Sequence, residues 1–441
     1  MPEHVESSLF TKSFWALLLG FIGYACRLAV TVILTRHLSL ELYGDFAVAW
    51  RSLIFVSMLL TYGTAASARR FVTDYVAAHD QRRKRSFTYW VFQLLARSTV
   101  RLFVVYITFW MMTNVLHVID ISWLEKYHLA VFTLVLAPVL SVFAILASYI
   151  LSHGYGLLTA FLNSVVFYGV QFLVVTIFFA VFIPENITHL SALLFSIVLV
   201  LMAVGAMISL SVPNMGIVQS VVSKPRRYVV DVEWMDVSQV AYLNELLVNT
   251  TLTMNLYILE LFAAQESNVG IYSVCETWIV ILGLLFVSLS EQDVQNIHEV
   301  GHASRSKYRR LQRSLDFFNS SKLLMAFVFL GFTWAFRVSI LSFFSIPQGR
   351  AEYLLPLMIF NAYLGDNQYQ LSYLMAHDDW DWVQRVQLLA VLLLVVVSCT
   401  LVLPFGMFGV AFATTLSRLV CKGLFTYRCR QRTSLRLNLL V

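Results

Sequence analysis

Long apolar runs separated by short polar segments set the pattern of this chain. A bilayer core of roughly 30 Å takes about 20 residues of helix. Runs of that length fall near residues 12–34, 43–63, 87–113, 127–151, 157–182, 190–212, 237–263, 270–290, 322–345, 353–375, 383–403 and 406–427. The pattern predicts an all-α integral membrane protein of about twelve spans. The first run, Phe14 to Leu34, is longer than a signal-peptide core and has no small-residue cleavage site behind it, so it reads as an uncleaved first span. The third span carries arginines and the seventh is the most polar.

Composition agrees with that pattern. Hydrophobic residues make up 59% of 441 and charged residues 13%, about half the charged share of a soluble domain. The 34 Phe and 10 Trp suit lipid-facing surfaces and interfacial belts. A net charge of +6 points away from nucleic acid once its distribution is considered, because the basic residues gather in a few loops. The 2–3 connection holds Arg69, Arg70 and Arg82–Arg85, and the 6–7 connection holds Lys224, Arg226 and Arg227. The 8–9 connection holds Arg305–Arg313, and the tail holds Lys422, Arg428, Arg430, Arg432 and Arg436. With an even span count all of these lie on one side, and the opposite loops offer little beyond Arg36, Lys126 and Arg350. Both termini are therefore expected in the cytoplasm.

The chain also repeats itself. Span 1 leaves through Leu38–Val48 and span 7 through Ala264–Val274; aligning Gly44 with Gly270 sets Phe46 on Tyr272 and Val48 on Val274. In both halves the next span is followed by a basic segment. The expected organisation is an N-terminal six-helix lobe over residues 1–215, a cytoplasmic linker over 216–236, and a C-terminal six-helix lobe with a short basic tail over 237–441. In folds of repeated lobes the substrate site lies at the lobe interface.

Four segments carry a family resemblance. Leu34–Gly44 resembles the first-loop pattern of polysaccharide-biosynthesis flippases, and Leu60–Ala66 followed by Arg69-Arg70 resembles their glycine-centred end of span 2. Ser267–Ser273 resembles their signature after span 7, and Pro404–Thr414 resembles their G-x-x-G-A-A-x-A-T opening of span 12. His37 and Ser39 depart from the first pattern, and Asn268 stands where the family has an acid. The resemblance implies the multidrug/oligosaccharidyl-lipid/polysaccharide (MATE/MOP-like) exporter superfamily, with its two-lobed, alternating-access fold. It further implies a lipid-linked oligosaccharide flippase of a bacterial inner membrane, with membrane lipids and other polysaccharide-assembly proteins as partners.

Ionisable residues inside the spans require a reason, because each is costly in hydrocarbon. Arg27 sits mid-span in helix 1, Arg51 a third of the way into helix 2, and Arg97 and Arg101 are four apart in helix 3. Arg337 and Arg418 recur in helices 9 and 12. A cavity lined by these arginines suits a polyprenyl diphosphate, since guanidinium binds phosphate bidentately and keeps its proton. Arg27 and Arg51 lead the set, because the resemblance places helices 1 and 2 against the cavity. Glu245, Asn249, Glu276 and Asp366 are the candidates for ion coupling or polar cavity lining, with simple neutralisation of arginines as the alternative. In span 7, Asn244, Thr251 and Asn255 share a face that either lines a cavity or packs on another helix.

Other chemistry finds little support. The five cysteines have no C-x-x-C spacing, the histidines no metal-ligand spacing, and there is no P-loop glycine pattern, so no cofactor or metal is expected. Asp378-Asp379-Trp380-Asp381 reads as a solvated cytoplasmic loop pairing with Arg385 rather than as a catalytic site. Rival readings are a cation-coupled drug exporter of the same superfamily, a glycan polymerase or ligase, and a transport-inactive scaffold.

Overall fold

The computed structural model describes residues 3–114, 128–182, 186–212, 217, 231–262, 265, 267–297, 305–347, 349, 351–377 and 379–432. Lys126, Lys224, Arg226, Arg227, Arg350, Asp378, Arg436 and most of the 216–236 linker lie outside them. Among the described residues every regular element is helical.

The helices in chain order are α1 (Glu3–His37), α2 (Leu40–Thr61), α3 (Thr64–Ala77), α4 (Gln81–Asn114), α5 (Leu129–Ser152), α6 (Gly156–Val181) and α7 (Ile187–Ser211). They continue with α8 (Val232–Phe262), α9 (Ser267–Ile297), α10 (Arg305–Phe343), α11 (Ala351–Gly365), α12 (Gln368–Ala376), α13 (Trp380–Phe405) and α14 (Met407–Arg432). Ten of them, namely α1, α2, α4–α7, α9, α10, α13 and α14, contain stretches long and apolar enough to cross a membrane. The two remaining expected spans differ in physical character. Helix α8 has 31 residues, about 46 Å at 1.5 Å each, but is interrupted by Asn, Thr and Glu. The run 353–375 forms two pieces, α11 and α12, parted at Asp366-Asn367. The chain is thus an integral, multi-pass, all-helical membrane protein.

Two compact units make up the chain. One comprises Leu18–Val30 and Asp45–Asn249; the other comprises Met1–Leu17, Thr31–Gly44 and Thr250–Val441.

The first unit, called the N-terminal unit below, is organised around α3. This helix buries Ala65, Ser67, Ala68, Phe71, Val72 and Tyr75 on one face while Arg69 and Arg70 stay exposed on the other, the amphipathic pattern of a helix lying at a surface. The start of α8 docks on it: Trp234 is fully buried, donates its indole N–H to Tyr75 Oη at 2.7 Å and meets Phe87 edge-on at 5.3 Å. Ser238 donates to Ser67 Oγ at 2.8 Å, and Tyr62 stacks on Tyr242 at 4.7 Å. Gly63 makes this docking possible, since its φ is +70° and a Cβ there would stand 2.2 Å from the Ser238 carbonyl oxygen.

The same unit holds a buried amine–imidazole pair. Lys84 Nζ lies 2.8 Å from His153 Nε2, and His153 Nδ1 lies 2.8 Å from the Tyr149 carbonyl. These partners assign the tautomer: Nδ1–H donates to the carbonyl and Nε2 accepts from the lysine. Burial lowers the His153 pKa below its ordinary 6.5; the Tyr149 carbonyl opposes that shift and Lys84 adds to it.

The second, C-terminal unit packs α9–α14 together with the end of α1 and the first turn of α2. Within it the segments around Gly44 and Gly270 approach closely. A Cβ on Gly270 would lie 2.3 Å from the Leu40 carbonyl oxygen, and one on Gly44 would lie 3.3 Å from the Gly270 nitrogen. Beside them Tyr43 Oη and Ser273 Oγ stand 3.4 Å apart, both buried. The aligned glycines of the repeat therefore meet each other directly.

Gly63→Ala combines a left-handed backbone with a backbone clash, and should cost more stability than Gly154→Ala, where φ is +87° but the space is open. The strain alone is worth about 1–3 kcal/mol, and thermal melts of both variants in detergent will rank them. Because His153 holds a lowered pKa in the fold, its contribution is complete above about pH 6.5 and is lost as pH falls below that value. His153→Gln should flatten the stability-versus-pH curve in that window, and an unchanged slope would contradict the pairing.

Candidate functional site

Helix α1 meets α6 through a glycine and an arginine one turn apart. Helix α6 contains a π-helical turn, Phe161–Val166, which places one extra residue in the turn and shifts the register of the helix beyond it. A Cβ on Gly23 would lie 2.7 Å from the Ser164 carbonyl oxygen in that turn, so only glycine allows the contact. One turn on, Arg27 lies over the Tyr168 ring at 5.8 Å, a cation–π geometry. Arg51 on α2 is half-buried, as is Arg27.

The other predicted residues of this unit fall on two further helices. Arg97 and Arg101 are exposed on one face of α4, whose apolar window is only 6% buried. On α8, Asn249 donates to Met58 Sδ at 3.0 Å and to the Glu245 carbonyl at 2.9 Å, and Glu245 lies within electrostatic reach of Arg69.

The C-terminal unit gathers a different set around the break between α11 and α12. Lys322 of α10 binds Asp366 at 2.6 Å, with both side chains about nine-tenths buried. Arg418 of α14 donates to the Asn361 carbonyl at 2.7 Å and lies flat against Gly365, where a Cβ would be 2.9 Å from its Nη1. Lys422, one turn further along α14, donates to the Tyr363 carbonyl at 3.2 Å and sits 4.4 Å from the Tyr363 ring centre. Glu276 on α9 lies within electrostatic reach of Arg418. Asn361 is fixed in turn by Thr415, which donates to its Oδ1 at 2.5 Å, and by its own bond to the Ala411 carbonyl at 3.0 Å. Asn255, from the polar stripe of α8, accepts from Thr414 at 3.1 Å and is buried, so that part of the stripe packs on α14.

Arg418, Glu276 and Asp366 are thus brought into one neighbourhood, whereas Arg337 is not part of it. Arg337 pairs with Glu352 at 3.1 Å and lies over Trp334 at 4.5 Å. The two lysines of the cluster escaped the sequence reading. Lys422 was counted only as an orientation charge, yet its spacing of four from Arg418 puts both on one face of α14.

The acidic segment near residue 380 differs from expectation. Asp379 is 7% exposed and pairs with Arg428 at 3.1 Å, while Arg385 is exposed. The pairing joins residues 49 apart in sequence, and tertiary packing between the ends of α13 and α14 decides it. Among the described residues no three His, Cys, Asp or Glu side chains cluster as a metal site would require.

No family model matches the chain, and no curated protein matches its sequence. Solved structures do match its fold along nearly the whole length. The lipid II flippase MurJ in an inward closed conformation superposes with a TM-score of 0.66 at 11% identity, covering 94% of this chain and 87% of that one. An inward-facing multidrug resistance MATE family transporter of the MOP superfamily gives 0.62 at 13% identity, covering 96% and 98%. The Vibrio cholerae MATE transporter VcmN gives 0.63 at 14% identity, covering 98% of each chain. The chain therefore shares the fold of MATE transporters and MurJ.

The two C-terminal arginines should separate by stability. Arg418→Leu removes a charged donor from a buried carbonyl and should cost about 1.5–3 kcal/mol. Arg337→Ala removes a more accessible pair and should cost about 1 kcal/mol or less. Equal losses in detergent melts would contradict this division.

Proposed function

We propose that the chain is a membrane transporter of the MOP superfamily that moves an anionic, lipid-linked oligosaccharide between bilayer leaflets by alternating access. The observation that carries this reading is the pairing of a MurJ-like and MATE-like fold with the half-buried arginines Arg27 and Arg51 inside apolar helices α1 and α2. A permanent cation at membrane depth is costly unless it meets an anion or water. The diphosphate of a polyprenyl carrier supplies an anion of matching geometry. The Tyr168 ring holds the Arg27 guanidinium in place, which lowers the entropy lost when phosphate binds.

In this reading Arg27 and Arg51 contact the diphosphate. Arg97 and Arg101 stand on the α4 face and serve the carrier as it approaches in the bilayer. Arg337, paired with Glu352, and Arg418, on the Asn361 carbonyl, complete the cationic set. Glu245, Asn249, Glu276 and Asp366 are the candidates for ion coupling or polar lining of the cavity, with neutralisation of arginines as the alternative. The organisation follows the repeat, with lobes at 1–215 and 237–441 about a 216–236 linker, an inner-membrane location, cytoplasmic termini, and glycan-assembly proteins as neighbours. The chain carries transport rather than catalysis.

A drug exporter of the same superfamily is the second reading, supported by the MATE structures that share the fold. Deleting the gene and restoring it as wild type or as Arg27→Ala plus Arg51→Ala separates the two. The flippase reading expects loss of surface glycan on deletion, accumulation of lipid-linked repeat inside, and failure of the double variant at normal abundance. Unchanged glycan together with new sensitivity to cationic dyes would overturn it in favour of drug export.

A further inference from the structure

We propose that Lys422, beside the Lys322–Asp366 pair at the break between α11 and α12, is a proton-exchange site of the C-terminal unit. The inference rests on the transporter reading for its use in a cycle, but the site itself stands on local geometry.

Among the described side chains, the charges around the break do not balance. On α10 there is Lys322, on α14 Arg418 and Lys422, on α9 Glu276, and after α11 Asp366, which makes three cations and two acids. The neutral titratable groups facing them are Tyr272 on α9, Tyr363 on α11 and Cys421 on α14. Helices α12 and α13 meet this part of α14 through Tyr373, Val383, Val386 and Phe425, which carry no charge. Lys322 is committed to Asp366 at 2.6 Å. Arg418 faces Glu276 and the Asn361 carbonyl. Lys422 hydrogen-bonds to a carbonyl at 3.2 Å beside an aromatic ring at 4.4 Å, with Asp366 and Lys322 both within electrostatic reach. A buried ammonium whose hydrogen bond goes to a neutral carbonyl, with its carboxylate already bound by another lysine, is the species that desolvation penalises. Unlike arginine, lysine can relieve that penalty by releasing its proton.

The exchange is simple to balance. In one state Lys422 is an ammonium and the cluster carries one net positive charge. In the other, its N–H bond to one proton has broken, the proton has left to water, and the amine is neutral. Asp366 and Lys322 remain an ion pair throughout. A proton needs no cavity, which suits a cluster where Gly365 is in contact with Arg418 and the Tyr363 ring covers Lys422. Asp366 is 11% exposed, and Gly365 beside it is exposed, so the break is the side from which a proton can come.

The consequence is mechanical. Lys422 and Arg418 hold the carbonyl end of α11, where the helix dipole favours cations. Arg418 is the permanent clamp. Lys422 grips the Tyr363 carbonyl with a charged hydrogen bond when protonated and with a weaker neutral one when not. Protonation therefore tightens the contact of α11 with α14, and deprotonation loosens it.

The test uses the purified full-length protein with 15N-labelled lysine in lipid nanodiscs. Side-chain nitrogen signals are followed from about pH 6 to pH 10, which includes the ordinary lysine range. Wild type is expected to show one lysine changing protonation apart from the others, and that signal should vanish in Lys422→Arg. The arginine variant preserves the charge and the carbonyl bond, so its thermal stability at pH 6 should equal wild type. A purely structural lysine would be rescued by arginine in every assay. The proposal instead expects Lys422→Arg to lose the pH dependence of transport in cells while keeping its abundance. The proposal is overturned if all lysines titrate together, or if Lys422→Arg keeps the wild-type pH profile. A distinct Lys422 signal in a protein that proves not to carry glycan would retire the flippase reading and leave the proton site intact.

Discussion

Within hydrocarbon a backbone carbonyl or amide has no water to bond, so each must find its partner inside the protein. Helix meets that demand along its length and fails at every interruption, and the side chains of this chain are placed where helix fails. At the end of α11, the carbonyls of Asn361 and Tyr363 take their extra bonds from Arg418 and Lys422. Along the intact helices, Ser52, Ser141, Thr277 and Thr414 turn their hydroxyls back to the carbonyl four residues earlier, which lets polar residues occupy apolar spans at small cost. Ser141 also donates to the Ser57 carbonyl at 2.7 Å, tying α5 to α2. Charge and hydroxyl placement thus follow backbone need before any question of substrate arises.

Close backbone approach is the second device. Gly23 on Ser164, Gly63 on Ser238 and Gly270 on Leu40 each bring a helix against a carbonyl at a distance no Cβ permits. In lipid there is little hydrophobic drive between helices, so small residues that allow tight van der Waals contact do the work of association. The Gly44–Gly270 meeting is the most informative of these, because the two positions are the ones the sequence alone aligned with each other. Substitution there disturbs both motifs at once.

Much of this was legible in the amino-acid order and part was not, for identifiable reasons. The apolar runs are local, which is why ten of twelve emerge as apolar helices and the polar α8 stands at the residues expected. The glycine motif was visible as a repeat, although nothing in the order of residues said that its two copies touch. The break in span 10 was readable in principle from Gly365-Asp366-Asn367, three weak helix formers in a row, but hydropathy over the run concealed it. Asp379 binding Arg428 rather than Arg385 was not readable, because the partner lies a whole helical hairpin away. The same holds for Lys322 and Asp366, 44 residues apart.

The choice between arginine and lysine is the remaining distinction within the chain. Arginine keeps its proton at any physiological pH, so it suits positions where a cation must persist, such as a clamp on a carbonyl or a ligand for phosphate. Arg418, on the Asn361 carbonyl, occupies such a position. Lysine can exist in two states, and a buried lysine is poised between the desolvation cost of the ion and the weaker hydrogen bond of the amine. Lys84 meets this with a neutral imidazole as acceptor. Lys322 resolves it with a carboxylate. Lys422 has an aromatic face and a backbone carbonyl, groups that tolerate either state. Three buried lysines therefore meet the same problem with three different partners: an imidazole, a carboxylate, and a carbonyl beside an aromatic ring.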